Sequence, residues 1–227
     1  MAQIDDNKQH SPSISNKHCP YDPRTRKLMY LCQPKAHPPM EAPSPIYSRQ
    51  TLEFATIAKE LCAYLETCDE AQPAAFVTIA HRLLPLLYYK ATMLPRTEPL
   101  CDDPNEHSVT ELQYAHIEQK LARMLGPHND FMLLQQPNRA YTEEIRTASI
   151  AEHLADVYQE LKNFEGRFRS GLDEAMNDAL WEVKETFGEI WGERIAQLLP
   201  ELHRLQHSGI DLSPNTISPN PDDVHDA

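Results

Sequence analysis

The feature that most constrains this chain is a helical periodicity that continues through residues 172–205. At about 100° per residue, the apolar side chains of this stretch fall on one stripe, as a packed helix requires. The stripe consists of Leu172, Met176, Ala179, Leu180, Val183, Phe187, Ile190, Leu198 and Leu205. Trp181, Gly188 and Ile195 lie away from this stripe, beside Trp191. The pattern therefore predicts one long helix that is central in its domain.

A row of acidic residues occupies the outer side of the same predicted helix. It consists of Glu174, Asp178, Glu182, Glu185, Glu189 and Glu193. Like charges four residues apart destabilise an isolated helix by about 0.2 to 0.5 kcal/mol per pair, so solvent, salt or a partner must offset the repulsion. We expect this acidic face to meet a basic protein partner or a second copy of the chain. The favoured function is a non-enzymatic interaction or accessory protein.

Five further helical segments precede the long one. Apolar periodicity and stop signals place them at 50–68, 74–93, 108–125, 129–135 and 149–168. Pro85 predicts a kink or a break in the second segment, because proline lacks the backbone donor that a helix interior needs. A capping box at Ser149 and Glu152 marks the start of the fifth. The short 129–135 piece is the weakest of the five patterns.

These segments predict an all-α protein with a single bundle of five to six helices. The helical domain covers residues 48–207, and no run with the period of a strand competes with it. Eight of the nineteen prolines lie before residue 46, and apolar residues there show no period. We therefore expect a disordered, Pro-rich basic arm at 1–47 and a disordered tail at 208–227.

Charge is distributed unevenly along the chain. The net charge is −13 in total, yet residues 1–39 carry +3, which leaves −16 for the remainder. An acidic body repels phosphate backbones within a Debye length of roughly 8 to 10 Å, so we expect no direct nucleic-acid binding by the folded domain. The longest apolar run, 83–89, is too short to span a membrane.

Cysteine usage and the first thirty residues bear on location. The five cysteines form no Cys-x-x-Cys pair, which favours reduced thiols, and the first thirty residues show no secretory signal. We therefore expect a cytoplasmic protein.

Glycine usage excludes several enzyme classes. The six glycines form no phosphate-binding loop, no dinucleotide fingerprint and no nucleophile elbow, so no cofactor is predicted. The enzymatic alternative is a divalent-metal-dependent, all-α nucleotide pyrophosphohydrolase that uses Mg²⁺ or Mn²⁺ to activate water. Its candidate ligands come from two neighbouring helices and are Asp156, Glu160, Asp178, Glu182 and Glu185. The Glu-x-x-Glu spacing fits such enzymes, but their downstream Glu-x-x-Asp is missing.

The histidines have simpler interpretations. His81, His116 and His203 lie on predicted helices, where we expect surface or capping roles. His18, Cys19, Cys32 and His37 match no closed zinc-ligand spacing.

Three segments of the chain resemble a known family. They are LPLLY at 84–88, ASIAEHLADVY at 148–158, and MNDALWEVKE at 176–185 followed by Trp191-Gly192. These residues resemble the bacterial family catalogued as domain of unknown function 5063, over about residues 46–206. The resemblance implies an all-helical bacterial domain and carries no catalytic residues to transfer. The arm before residue 46 is an addition to the family pattern.

Overall fold

The computed structural model describes residues 44–68, 71–101, 107–135 and 144–213. Most of the predicted arm and tail, at 1–43 and 214–227, lies outside the described residues. The last residues of the predicted arm and the first residues of the predicted tail nevertheless belong to the fold. Pro45–Tyr47 forms a 3₁₀ turn with Ile46 buried, and Leu212 is also buried.

Six α-helices and a two-stranded hairpin make up the described part of the chain, in agreement with the predicted all-α class. The first three helices are α1 (Arg49–Thr67), α2 (Pro73–Thr92) and α3 (Glu111–Leu125). The hairpin follows, with β1 (Asp130–Gln135) and β2 (Glu144–Ser149). The last three are α4 (Ile150–Phe168), α5 (Asp173–Thr186) and α6 (Gly192–His207), with a π-helical segment (Phe187–Trp191) joining α5 to α6.

Helix α4 lies at the centre of the bundle, because it packs against α1, α3, α5 and α6. Its predicted N-cap is confirmed: the Ser149 hydroxyl accepts a hydrogen bond from Glu152 N at 3.1 Å. At its other end, Gly171 adopts a φ of 74° in the turn to α5, a conformation that favours glycine. The predicted long helix, which the structure divides into α5 and α6, also has neighbours on two sides, because α5 packs against α4 and α6 packs against both α2 and α4.

Residues 129–135 do not form the predicted short helical piece. They contribute strand β1, which pairs with β2 in antiparallel register, with Phe131 opposite Ala148. Phe131 is buried while Met132 is 68% exposed, the alternation typical of a half-buried strand. Asn129 joins the hairpin to α4, because its carbonyl and side-chain oxygens accept hydrogen bonds from Ile150 N and Ala151 N. The short apolar run here carries no period of its own, which is why the sequence did not separate strand from helix.

Helix α2 continues through Pro85, so the predicted break does not occur. Leu84 and Leu87, on either side of this proline, are fully buried. Core packing on both sides therefore holds the helix together across the lost hydrogen bond. Leu52 of α1 and Leu112 of α3, which the apolar periodicity of their helices assigns to the core, are exposed instead.

The predicted 172–205 helix is interrupted by the π-helical segment. At about 100° per residue, Ile195 would lie about 120° around the axis from Val183. The wider π turn reduces this difference, and both side chains are buried. Ile190 and Leu172, which the sequence placed on the core stripe, are 43% and 67% exposed. The indole N–H of fully buried Trp191 donates to Val183 O at 3.0 Å, across the π turn.

Gly192 permits this geometry. A Cβ atom at position 192 would lie 2.4 Å from the Phe187 carbonyl oxygen and 2.9 Å from the Phe187 ring. The Gly192 N–H donates to that same carbonyl in the π-type hydrogen bond. A side chain at residue 192 therefore conflicts with the bond that defines the π turn.

Asp178, a member of the predicted outer acidic row, is buried instead. Its carboxylate accepts hydrogen bonds from Leu100 N at 2.7 Å and Cys101 N at 2.9 Å, and from the Asn177 side chain at 3.1 Å. Burial opposes ionisation, yet these donors hold the pKa of Asp178 below its ordinary value. Asp178 therefore anchors the irregular segment after α2 to helix α5.

We expect Gly192→Ala to lower the free energy of unfolding by about 1 to 3 kcal/mol, because the added methyl group forces the π turn to rearrange. Gly188→Ala is the matched control, since a Cβ there meets nothing within 4 Å. It should be neutral or stabilising by up to about 1 kcal/mol. Urea unfolding followed by circular dichroism measures both, and equal effects at the two glycines would contradict the strained-turn interpretation.

We expect Asp178→Ala to destabilise the protein by about 1 to 3 kcal/mol, because the amides of Leu100 and Cys101 lose their acceptor. A carboxyl whose pKa is lowered by folding stabilises the fold above its unfolded pKa and loses that contribution as the pH falls through the folded value. The difference between wild type and variant should therefore shrink below about pH 4. Denaturation at pH 7 and pH 3 tests this, and a pH-independent difference would show that the charge is irrelevant.

Candidate functional site

A cleft of about 500 Å³ opens where the hairpin, the first turn of α4 and the π-helical segment meet. We call it the π cleft. Its charged and titratable lining consists of Arg146, Glu152, His153, Glu189, Glu193 and Arg194. The hairpin lines it with Leu133, Arg146, Thr147 and Ala148, and the π turn lines it with Glu189 and Ile190. The two features that the sequence did not predict therefore create this cleft together.

His153 lies in the wall of the π cleft and is only 2% exposed. Its Nε2 is 2.8 Å from Gln197 Oε1, which assigns the ring proton to Nε2. The Phe131 ring packs edge-on against the imidazole, with 5.5 Å between the ring centroids. The buried Nδ1 has no hydrogen-bond partner among the described residues. Burial lowers the pKa of His153, so the ring is neutral at pH 7 and presents a lone pair.

Hydrogen bonds connect this buried ring to the rim of the cleft. Gln197 accepts from His153 and donates to Glu193 Oε1 at 2.8 Å. On the neighbouring turn, Arg194 pairs with Asp156 at 2.8 Å, and the Tyr114 hydroxyl donates to Asp156 at 2.7 Å. These contacts fix α6 against α4 and α3 beside the cleft.

Three carboxylates face the cleft from three elements. Glu152 comes from α4, Glu189 from the π segment and Glu193 from α6, and all three are exposed. Within the described ranges, neither the Glu152 nor the Glu189 carboxylate has an ion-pair partner. Ile190 adds an exposed apolar side chain to the same rim. The π cleft therefore combines negative charge with apolar surface.

The predicted acidic row does not form one continuous outer face. Asp178 is buried under the 94–101 segment, and Glu182 forms an ion pair with Arg167 of α4. Glu185 borders a second cleft of about 430 Å³, whose lining includes Arg96 and Lys184. Glu174 is exposed near the start of α5, about 22 Å along the helix axis from Glu189. Only Glu189 and Glu193 of the six share the π cleft.

The carboxylates predicted to bind Mg²⁺ or Mn²⁺ are not gathered in one place. Asp156 pairs with Arg194, Asp178 binds backbone amides and Glu182 pairs with Arg167. Glu160 is half-buried and Glu185 is exposed. Across the described ranges, the one group of three potential metal ligands with ligand atoms within 4.8 Å of one another is His81, His203 and His207.

Sequence reasoning missed the contributions of the hairpin, of Gln197 and of the histidine group. Arg146 and Leu133 reach the cleft only because residues 130–135 and 144–149 form strands. The spacing of His203 and His207, four residues apart on one helix face, was a signal for a shared site. His81 carried no such signal, because only the packing of α2 on α6 brings it there.

No helix in the described ranges combines the length and apolar character needed to cross a membrane. No curated protein matches the chain. The crystal structure of protein BF1032 from Bacteroides fragilis is similar, with 35% sequence identity and a TM-score of 0.63 over 72% of this chain and 99% of that chain. The family described as domain of unknown function 5063 (DUF5063) matches residues 45–208. Because this match spans most of the sequence and includes every described helix, the chain belongs to the DUF5063 family.

Proposed function

We propose that this protein is a non-enzymatic interaction module that binds a basic segment of a partner protein in the π cleft. The observation that carries the proposal is the convergence of Glu152, Glu189 and Glu193 on one cleft. The partner chemistry follows from this arrangement. A lysine or arginine side chain that enters the cleft meets carboxylates from three elements. Two of these carboxylates, those of Glu152 and Glu189, have no ion-pair partner in the described ranges.

The apolar parts of the cleft suit the same ligand. Lysine and arginine side chains pack their methylene stems on apolar surface while the charged end meets an acidic group. Ile190 and Leu133 offer such surface beside the carboxylates. Guanidinium, with five donors in a planar fork, is the group best suited to bind more than one of these carboxylates.

The net charge supports fast capture of a basic partner. A charge of −13 attracts cations over the distance of the Debye length. The Asp156–Arg194 pair and the Trp191 anchor hold the walls in place before binding. A rigid site loses little conformational entropy when it binds.

The test uses fluorescent basic peptides of 10 to 12 residues, with anisotropy as the measurement. One is the chain's own basic cluster at 20–30, and the others alternate Lys or Arg with apolar residues. We expect Glu189→Lys and Glu193→Lys each to weaken binding by about 5- to 30-fold at low salt, because each variant replaces an attraction by a repulsion. Binding of the wild type should also weaken as salt rises.

Glu60→Lys is the matched control, because Glu60 is exposed on α1 and its reversal changes the net charge equally. It should stay within about twofold of wild type when the site, rather than the overall charge, decides affinity. Equal losses of peptide affinity in all three lysine variants would show that the π cleft is not the binding site. A set of peptides that bind with no dependence on salt or on Glu189 and Glu193 would reject the proposed function.

A further inference from the structure

Helices α2 and α6 bring three imidazoles together. His203 and His207 lie four residues apart on α6, and His81 comes from α2. One ring nitrogen from each lies within 4.8 Å of the others. The ring centroids are 4.5 Å apart for His203 and His207, and 5.4 and 5.7 Å from His81 to each of them.

The two helices are fixed next to this group by other residues. The Thr78 hydroxyl, one turn before His81, donates to Gln206 Oε1 at 2.7 Å. Leu84 of α2 and Leu202 and Leu205 of α6 are buried in the core. The backbone positions of the histidines are therefore set by core packing, and the rings meet without having to hold the helices together.

The spacing of the rings suits a tetrahedral ion. Zn–N distances of about 2.0 to 2.1 Å place coordinating nitrogens about 3.3 Å apart. His203 and His207 are exposed and His81 is half-buried, so small χ rotations close the remaining gap. Two histidines at i and i+4 on one helix face form a common pair of metal ligands.

The surroundings of His81 favour its neutral imidazole, the form that binds metal. Burial lowers the pKa of His81, and the neighbouring His203, His207 and Arg82 lower it further. The nearby Arg204 is engaged by Glu201, with Nε–Oε2 at 3.0 Å. Within the described ranges, no carboxylate joins the three ligand atoms, so a cation bound there would be held by nitrogen alone.

We propose that His81, His203 and His207 form a binding site for a divalent transition-metal ion of the zinc class, with the fourth coordination position open to water. Nitrogen ligands select Zn²⁺, Ni²⁺, Cu²⁺ or Co²⁺ over Mg²⁺ and Ca²⁺, which prefer oxygen. The site is separate from the π cleft and from the predicted carboxylate ligands. A bound ion would cross-link α2 to α6.

Titration calorimetry of the full chain with ZnCl₂ at pH 7.5 tests the site. We expect one site of micromolar or tighter affinity, weakened at least about 100-fold by His81→Gln and by the double variant His203→Gln/His207→Gln. His116→Gln is the matched control, because His116 is an exposed helical histidine on α3. Circular dichroism verifies that each variant folds. If His81→Gln does not fold, His203→Gln alone replaces it as the single-site variant.

Two further readouts distinguish zinc binding at this site from zinc binding by thiols elsewhere in the sequence, such as Cys19 and Cys32. Bound Co²⁺ should lack the thiolate charge-transfer absorption that cysteine ligands produce. Zinc at about 100 times its Kd should raise the Tm of wild type and His116→Gln by about 5 to 10 °C, and leave the site variants unchanged. Binding should weaken steeply from pH 7 to pH 5.5, because protons compete for the imidazoles.

Absence of zinc binding at 100 μM protein and metal would overturn the proposal. Undiminished binding in both the His81 variant and the double variant would also overturn it, as would thiolate absorption that persists in those variants.

Discussion

The π turn between α5 and α6 is the constraint on which the core and the π cleft both depend. Its extra width lets Val183 and Ile195 face the same core, although they are out of phase in an ideal α-helix. Trp191 fills the centre of this arrangement, with its ring centroid 4.7 Å from that of Phe187 and 6.2 Å from that of Phe54. The same turn moves Ile190 out of the core and into the rim of the cleft. A packing solution in the core thus produces the concave acidic surface outside it.

The acidic row shows how equal spacing in sequence leads to unequal environments. Asp178 serves as an acceptor for backbone amides, and Glu182 faces the guanidinium of Arg167. Hydrogen bonding and pairing within the fold therefore neutralise part of the repulsion that the sequence pattern implied. Asp178 and Glu182 therefore need no partner protein for their stability. The case for an interaction surface consequently rests on the carboxylates at the π cleft, of which Glu152 and Glu189 have no ion-pair partner in the described ranges.

The all-α class and the helices α1 to α4 could be predicted from periodicity, caps and stop signals. Ser149 is a clear case, because the side chain that caps α4 lies immediately before the first apolar residue of its stripe. The π turn could not be predicted, because counting at 100° per residue assumes an α-helix throughout. The hairpin was missed because a run of four apolar residues fits a buried strand and a buried helix equally well.

The candidate sites were harder to predict than the fold, because each joins elements that are distant in sequence. Glu189 and Glu193 were recognised as acidic, but their role depends on a hairpin about 50 residues upstream along the chain. Asp178 has the same sequence context as its neighbours in the row, and only the path of the 94–101 segment buries it. His81 likewise joins His203 and His207 through helix packing alone.

Helix α6 links the two proposed sites, with Glu193 near its first turn and His203 about 15 Å further along its axis. Coupling between two sites requires an element with two discrete arrangements that both ligands bias. Gly192 and Trp191 hold the start of α6 in one register, and Leu198, Leu202 and Leu205 hold its length in the core. An ion at the histidines would tie α6 to α2 in the register that it already occupies. We therefore expect metal binding to stabilise the bundle without changing the affinity of the π cleft.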